Sequence, residues 1–228
     1  SASSALLLVL AGVFLHEIGH LAACRHFGAP HGGLGCGLYW CLPVFYAEVH
    51  GAWLLARRQR AVVDVAGIYF QCIFLAVVAA GWLLWRSGTL WLTLWLSHFL
   101  ILNTLNPVLK YDGYWLLSDL SGRHNLHAFI RESARRLVRR LRGTADSPPA
   151  PEDHWLVAAF LCLAGLYFAY LIQFMGHNLA YAVLVLQSTH SVWQFIASGS
   201  ALLLISIAGI GISGLLARAV ASVLSPCR

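Results

Sequence analysis

The residues best placed to do chemistry are His16-Glu17-Ile18-Gly19-His20, which read H-E-x-x-H. On a helix, positions i and i+4 share a face, so both imidazoles can reach one ion. Glu17 sits one step round, within reach of a water on that ion. Two histidine ligands and a glutamate base at this spacing are the arrangement used in zinc-dependent peptide hydrolysis. The pentad lies inside an apolar run from Ala5 to about Ala23. Ionisable groups in a spanning helix are costly and mark function by default. The plainer alternative is two core histidines and an incidental glutamate facing a bundle, which gives the spacing no cause.

Hydrolytic zinc needs a third protein ligand and an open fourth position. The candidate stands far downstream, in Asn106-Pro107-Val108-Leu109-Lys110-Tyr111-Asp112-Gly113-Tyr114-Trp115. Asp112 is the one carboxylate near the end of the third apolar segment. Pro107 is expected to end or kink that helix, and Gly113 to allow a turn beside the carboxylate. With Asn-Pro and Asp-Gly downstream of His16–His20, the chain resembles the site-2 protease family of intramembrane zinc metalloproteases. The resemblance covers roughly residues 5–120. It implies Zn2+ as cofactor, His16, His20 and Asp112 as ligands, and Glu17 as base. The wording Asn-Pro-x4-Asp-Gly-Tyr-Trp is closer to a branch of peptide zinc metalloproteases found beside bacterial peptide-export and maturation systems. Where the family often has Gly-Pro-x-x-Asn, this chain keeps Gly67 but has Ile68 and Gln71. The Gln71 carboxamide could steady substrate backbone or an oxyanion, or only bridge two helices. Asn103 and Asn106 are further candidates for substrate or oxyanion contacts.

The composition says where this chemistry would happen. Of 228 residues, 59% are hydrophobic and 11% charged, and the mean hydropathy is +0.71. Repeated long apolar runs at this level indicate a polytopic membrane protein. The formal net charge is +6. The basic residues gather near Arg25, at 57–60 and between 110 and 142, while Arg86 stands alone in a short break. That pattern is a topology signal placing those stretches in the cytoplasm, with contact to the lipid surface. No RNA- or DNA-binding motif accompanies it, so a nucleic-acid partner is not expected. Of six cysteines, Cys36 and Cys41 share a loop expected to face the reducing cytoplasm, which disfavours a disulfide. The chain begins at Ser1 without Met, as a trimmed chain would, and the metal motif sets its first segment apart from a signal peptide.

The expected fold is an all-α polytopic membrane protein. It has five or six membrane segments and a re-entrant β-hairpin-like loop after the first. Residues 1–120 form a catalytic core of three membrane helices, from about 4–27, 61–85 and 89–109. The loop at 31–53 alternates Gly33, Gly35 and Gly37 with apolar residues, then passes Pro43 into a β-branched and aromatic stretch. That reads as paired extended strands, pressed against the bundle because open edges do not survive in lipid. It serves either as an interfacial plug or as an edge that takes unfolded substrate by strand addition. Asp64 is expected to pair with Arg57 or Arg60. Residues 121–153 hold a basic amphipathic segment on the cytoplasmic membrane face and a proline-rich linker. Residues 154–228 supply accessory spans, the fourth interrupted at Gly176-His177-Asn178 and the fifth at about 192–216, with Gly209, Gly211 and Gly214.

The functional expectation is an intramembrane zinc endopeptidase acting on a membrane-embedded or membrane-associated polypeptide. It would sit in a bacterial cytoplasmic membrane with its active site nearer the cytoplasmic face. One rival is a catalytically silent zinc-binding subunit for peptide presentation or export. Another is a di-iron membrane oxygenase using His16, His20, His124 and His127, which leaves Glu17 without a role.

Overall fold

A computed structural model of the chain describes residues 2–39, 42–141 and 154–188. It divides after Leu126 into two units.

The first unit is built on helix α1 (Ala2–His26) and helix α2 (Arg57–Trp85). Both are long and apolar enough to cross a membrane. They pack closely because small residues meet at the crossing. A Cβ on Gly19 of α1 would collide with the backbone of Ala66 and Gly67 in α2. Close backbone approach of this kind is how apolar helices associate when lipid is as apolar as their side chains. Below the crossing, Ala23, Cys24, Ala29, Val63 and Ala66 form a buried cluster. Helix α1 ends at Gly28, whose φ of 68° is left-handed. There the Ala29 N–H reaches back to the Cys24 carbonyl at 3.0 Å, which closes the helix end.

Between these helices, β1 (Leu34–Tyr39) and β2 (Leu42–Ala47) pair antiparallel, with Leu34 opposite Ala47 and Tyr39 opposite Leu42. The expected hairpin is therefore present. Its second strand leans on α1 through an edge-to-face contact of Phe45 with Phe14, centroids 5.5 Å apart. The loop is not wholly extended as the pattern suggested, since His50–Leu54 is a short 3₁₀ helix. Its Gly51 lies against the Pro30 carbonyl, with no room for a Cβ.

Helix α3 (Gly88–Thr104) follows the turn at Arg86 and Ser87. It stops five residues before the expected Leu109, ahead of Pro107. A proline disfavours helical geometry in the residue before it and removes a donor. The chain turns through 105–111 and starts helix α4 (Asp112–Ser121). Gly113 thus sits inside a helix and not in a turn. Its glycine is required because a Cβ would run into the Leu105 carbonyl.

The second unit holds helix α5 (Leu126–Leu141), apart from its first residue, and helix α6 (His154–Ser188). Residues 155–177 of α6 are the third stretch able to span a membrane. The helix runs unbroken through Gly176-His177-Asn178, where an interruption was expected. A single glycine costs a helix interior only ~1 kcal/mol, and no proline is present to break it. At 17 residues, α3 is shorter than these three. The linker at 144–151 and the fifth segment at 192–216 lie outside the described residues, as do Cys41, Cys227 and the late glycines. Three candidate spans and a two-stranded hairpin are thus established among the described residues.

Candidate metal centre

The site forms where α1, α2 and α4 meet. His16 and His20, one turn apart on α1, turn their rings edge to face, with Nε2 atoms 3.1 Å apart. Both are buried. Asp112, first residue of α4, places Oδ2 3.0 Å from His16 Nε2 and 3.3 Å from His20 Nε2. Among the described residues these three form the group of His, Cys, Asp or Glu side chains able to hold a metal ion. His124 and His127 do not join it, and the His127 ring packs instead against Phe160.

Two details bear on whether an ion fits. His20 Nδ1 lies 2.8 Å from the Val63 carbonyl. A carbonyl only accepts, so Nδ1 carries a proton and Nε2 is the nitrogen left to face an ion. That backbone bond fixes the tautomer a metal ligand requires. Asp112 Oδ2 is buried with only the two imidazole nitrogens beside it. Donors at 2.0–2.1 Å from a tetrahedral ion sit ~3.3 Å apart, close to the spacings here. The donor set of two imidazoles and a carboxylate also suits zinc. Burial pushes the Asp112 carboxyl up, but the two imidazoles outweigh this and hold it below its ordinary range. The group is therefore ionised at neutral pH.

Gly67 makes the room. A Cβ there would fall 2.5 Å from His20 Nε2 and 2.7 Å from His16 Nε2. The nitrogens face a bare stretch of α2 backbone.

Glu17 is half-buried and accepts a hydrogen bond from the Ala47 backbone N–H. Glu48 directs both its backbone groups to the 32–33 segment. In an alternating strand, Ala47 and Phe45 therefore turn theirs to the free side of β2. The hairpin thus ends with its open edge on Glu17. A cavity of about 330 Å³ opens here. It is lined by His16, Glu17, His20 and Asp112 together with Tyr46, Ala47, Trp53, Asp64, Trp115 and Asp119, among others.

The other sequence candidates stand elsewhere. Gln71 is 3% exposed on α2, one turn beyond Gly67, and is not part of the cavity lining. Asn103 donates to the Phe99 carbonyl of its own helix at 2.8 Å. Asn106, 2% exposed, accepts from the Val108 N–H at 2.8 Å and so shapes the turn before α4. Asp64 does not pair with Arg57 or Arg60, as its spacing suggested; Arg60 takes Asp119 instead, and Asp64 Oδ2 is buried without a partner. Val63, Ala47 and Asp119 were missed. The first two act through backbone groups, which leave no mark in side-chain identity, and Asp119 is one carboxylate in a polar stretch.

No protein-family model and no solved structure matches the chain. A curated protein of Bacillus subtilis (strain 168), named "Putative peptide zinc metalloprotease protein YydH", is 25% identical over 107 residues. The match takes in 46% of this chain, and the chain spans 42% of that protein's length. What this chain resembles is thus, by its name, a zinc metalloprotease of peptides, and the likeness is distant.

Proposed function

We propose that the chain is a zinc-dependent endopeptidase working at the membrane, of the site-2 type. The observation that carries this reading is the convergence of His16, His20 and Asp112, with Glu17 beside them at a cavity. Zinc held by the three side chains would supply a Lewis acid that eases water ionisation and polarises the scissile carbonyl. The chain's own residues do the rest. Glu17 takes a proton from the attacking water as its oxygen bonds to the carbonyl carbon. It then hands that proton to the amine nitrogen as the C–N bond breaks. The Ala47 N–H holds the Glu17 carboxylate in place for both transfers. The open edge of β2 offers main-chain groups to an extended substrate. An extended peptide is what the reaction needs, because a helical one hides its carbonyls in its own hydrogen bonds. Gln71, Asn103 and Asn106 act in this reading through the packing around the site.

The substrate would be a membrane-embedded or membrane-associated polypeptide, and the enzyme would sit in a bacterial cytoplasmic membrane with the site toward the cytoplasm. The test is metal content and peptide cleavage in purified protein, with Asp112→Ala and Glu17→Gln beside it. Asp112→Ala should lose zinc. Glu17→Gln should keep zinc and lose about 10²–10⁴-fold in turnover. A zinc-loaded protein that cleaves no peptide would favour a silent subunit, and iron in place of zinc would favour the oxygenase.

A further inference from the structure

Asp112 reaches the site on a helix that cannot hold itself. Helix α4 has ten residues, and isolated helices shorter than ~12–15 residues are marginal. Its placement must come from what grips it. Asp119 lies seven residues beyond Asp112 on the same face, ~10 Å along the axis. There Arg60 of α2 holds it with a two-pronged grip. Arg60 Nε lies 2.8 and 2.9 Å from the two Asp119 oxygens, and Nη2 lies 2.7 Å from Oδ1. Both side chains are 11% exposed. Arg60 Nη1 donates to the Leu55 carbonyl at 3.1 Å, which anchors the guanidinium from behind.

One turn earlier on α2, Arg57 donates to the Asp119 and Leu120 carbonyls at 3.2 and 3.0 Å. These belong to the last turn of α4, whose carbonyls have no partner within the helix. Gly122 closes that end at a φ of 70°, and the Arg57 guanidinium occupies the space a Cβ would need. Arg60 also lies within electrostatic reach of Asp64, a carboxylate that feels the charges of both Asp112 and Asp119.

We propose that Arg60, assisted by Arg57, is a positioning residue for the metal centre: gripping Asp119 and the C-terminal turn of α4, it holds Asp112 against the two imidazoles. This rests on the zinc reading above. Buried ion pairs are weak sources of stability but can specify an arrangement. Here the arrangement matters, since metal bonds tolerate only about ±0.2 Å and α4 is a short lever with the ligand at its far end. Lysine would not serve equally, because one ammonium cannot match the carboxylate fork.

The experiment is cobalt titration of the full chain in detergent, read by affinity and by the visible spectrum of bound Co2+. Arg60→Ala and Asp119→Asn should weaken cobalt binding by about 10–100-fold and shift the spectrum toward that of Asp112→Asn. Arg60→Lys should fall between them and wild type. The exchanged pair, Arg60→Asp with Asp119→Arg, should recover part of the affinity. Glu132→Gln, which removes an exposed ion pair of α5, should change neither readout. Thermal unfolding of the metal-free proteins reports folding separately, and if Arg60→Ala does not fold, Asp119→Asn and the exchanged pair decide. Wild-type affinity and spectrum in Asp119→Asn would overturn the proposal. Failure of the zinc reading looks different: wild type would then bind no stoichiometric metal, or Asp112→Asn would bind it unchanged.

Discussion

Each residue at the centre owes its state to a neighbour that can be named. His20 is a ligand-ready tautomer because the Val63 carbonyl takes its other proton. Asp112 stays ionised because two imidazoles lie beside it, despite its burial. The Asp112 carboxyl is held below its ordinary value of 3.8, so the folded protein binds that proton less readily than the unfolded chain. The resulting stability is present above the unfolded value of ~3.9 and is lost as pH falls through the lower folded value. Metal-free protein should therefore lose stability on acidification below about pH 4, and Asp112→Asn should flatten that part of the curve. Thermal unfolding against pH, with chelator present, measures it. Identical acid slopes in the two proteins would deny the coupling between Asp112 and the histidines.

At the scale of elements, two backbone surfaces shape the site. The first is the bare strip of α2 at Gly67. Gly67→Ala puts a methyl into the imidazole nitrogens. It should reduce metal affinity more than it reduces folded yield, because the atoms nearest the added methyl are those of the two imidazole rings. Isothermal titration beside a solubility assay separates the two losses. The second surface is the free edge of β2. Ala47→Pro removes the N–H that meets Glu17 while leaving the pairing side of the strand intact, since proline is tolerated on an edge. It should lower turnover about tenfold or more, as an undirected base loses part of a 10²–10⁴-fold contribution, with zinc content unchanged. Loss of zinc together with turnover would instead mean that the hairpin supports the ligands.

For the whole molecule, the outside matches its solvent. Leu6, Leu7, Tyr69, Val77, Leu84 and Trp85 all face outward on the two long helices of the first unit. Such broad apolar exposure suits lipid and not water. The distribution of basic residues predicts a direction. Cysteines placed at Gly88 and Ser133 should be labelled from opposite sides, Gly88 from outside and Ser133 from the cytoplasm. The reverse pattern would turn the active site to the other face and remove the argument for reduced cysteines.

Much of this protein is legible in its sequence because the signals are local. The His16–His20 spacing puts two ligands on one face whatever packs against it. Apolar length alone marks α1, α2 and the 155–177 stretch as candidate spans, and Gly35, Gly37 and Pro43 announce a paired hairpin. Asp112 could be named because it is the one carboxylate near the end of the third apolar segment, in a motif whose resemblance implied a ligand there. Tertiary structure decided what depends on distant backbone. Gly113 looks like a turn residue but is a contact point for the Leu105 carbonyl. Gly67 stands in the sequence as the glycine kept from the family's motif, and the packed chain makes it the floor of the site. Arg60 had the carboxylate of Asp64 close by in sequence, yet Asp119, fifty-nine residues away, takes it instead. Pairing across such a separation depends on how α4 folds back onto α2, and a main-chain donor such as Ala47 N–H is the same atom in nearly every residue. Local spacing can choose which side chains carry the chemistry, but only the packed chain brings the groups that orient them into contact.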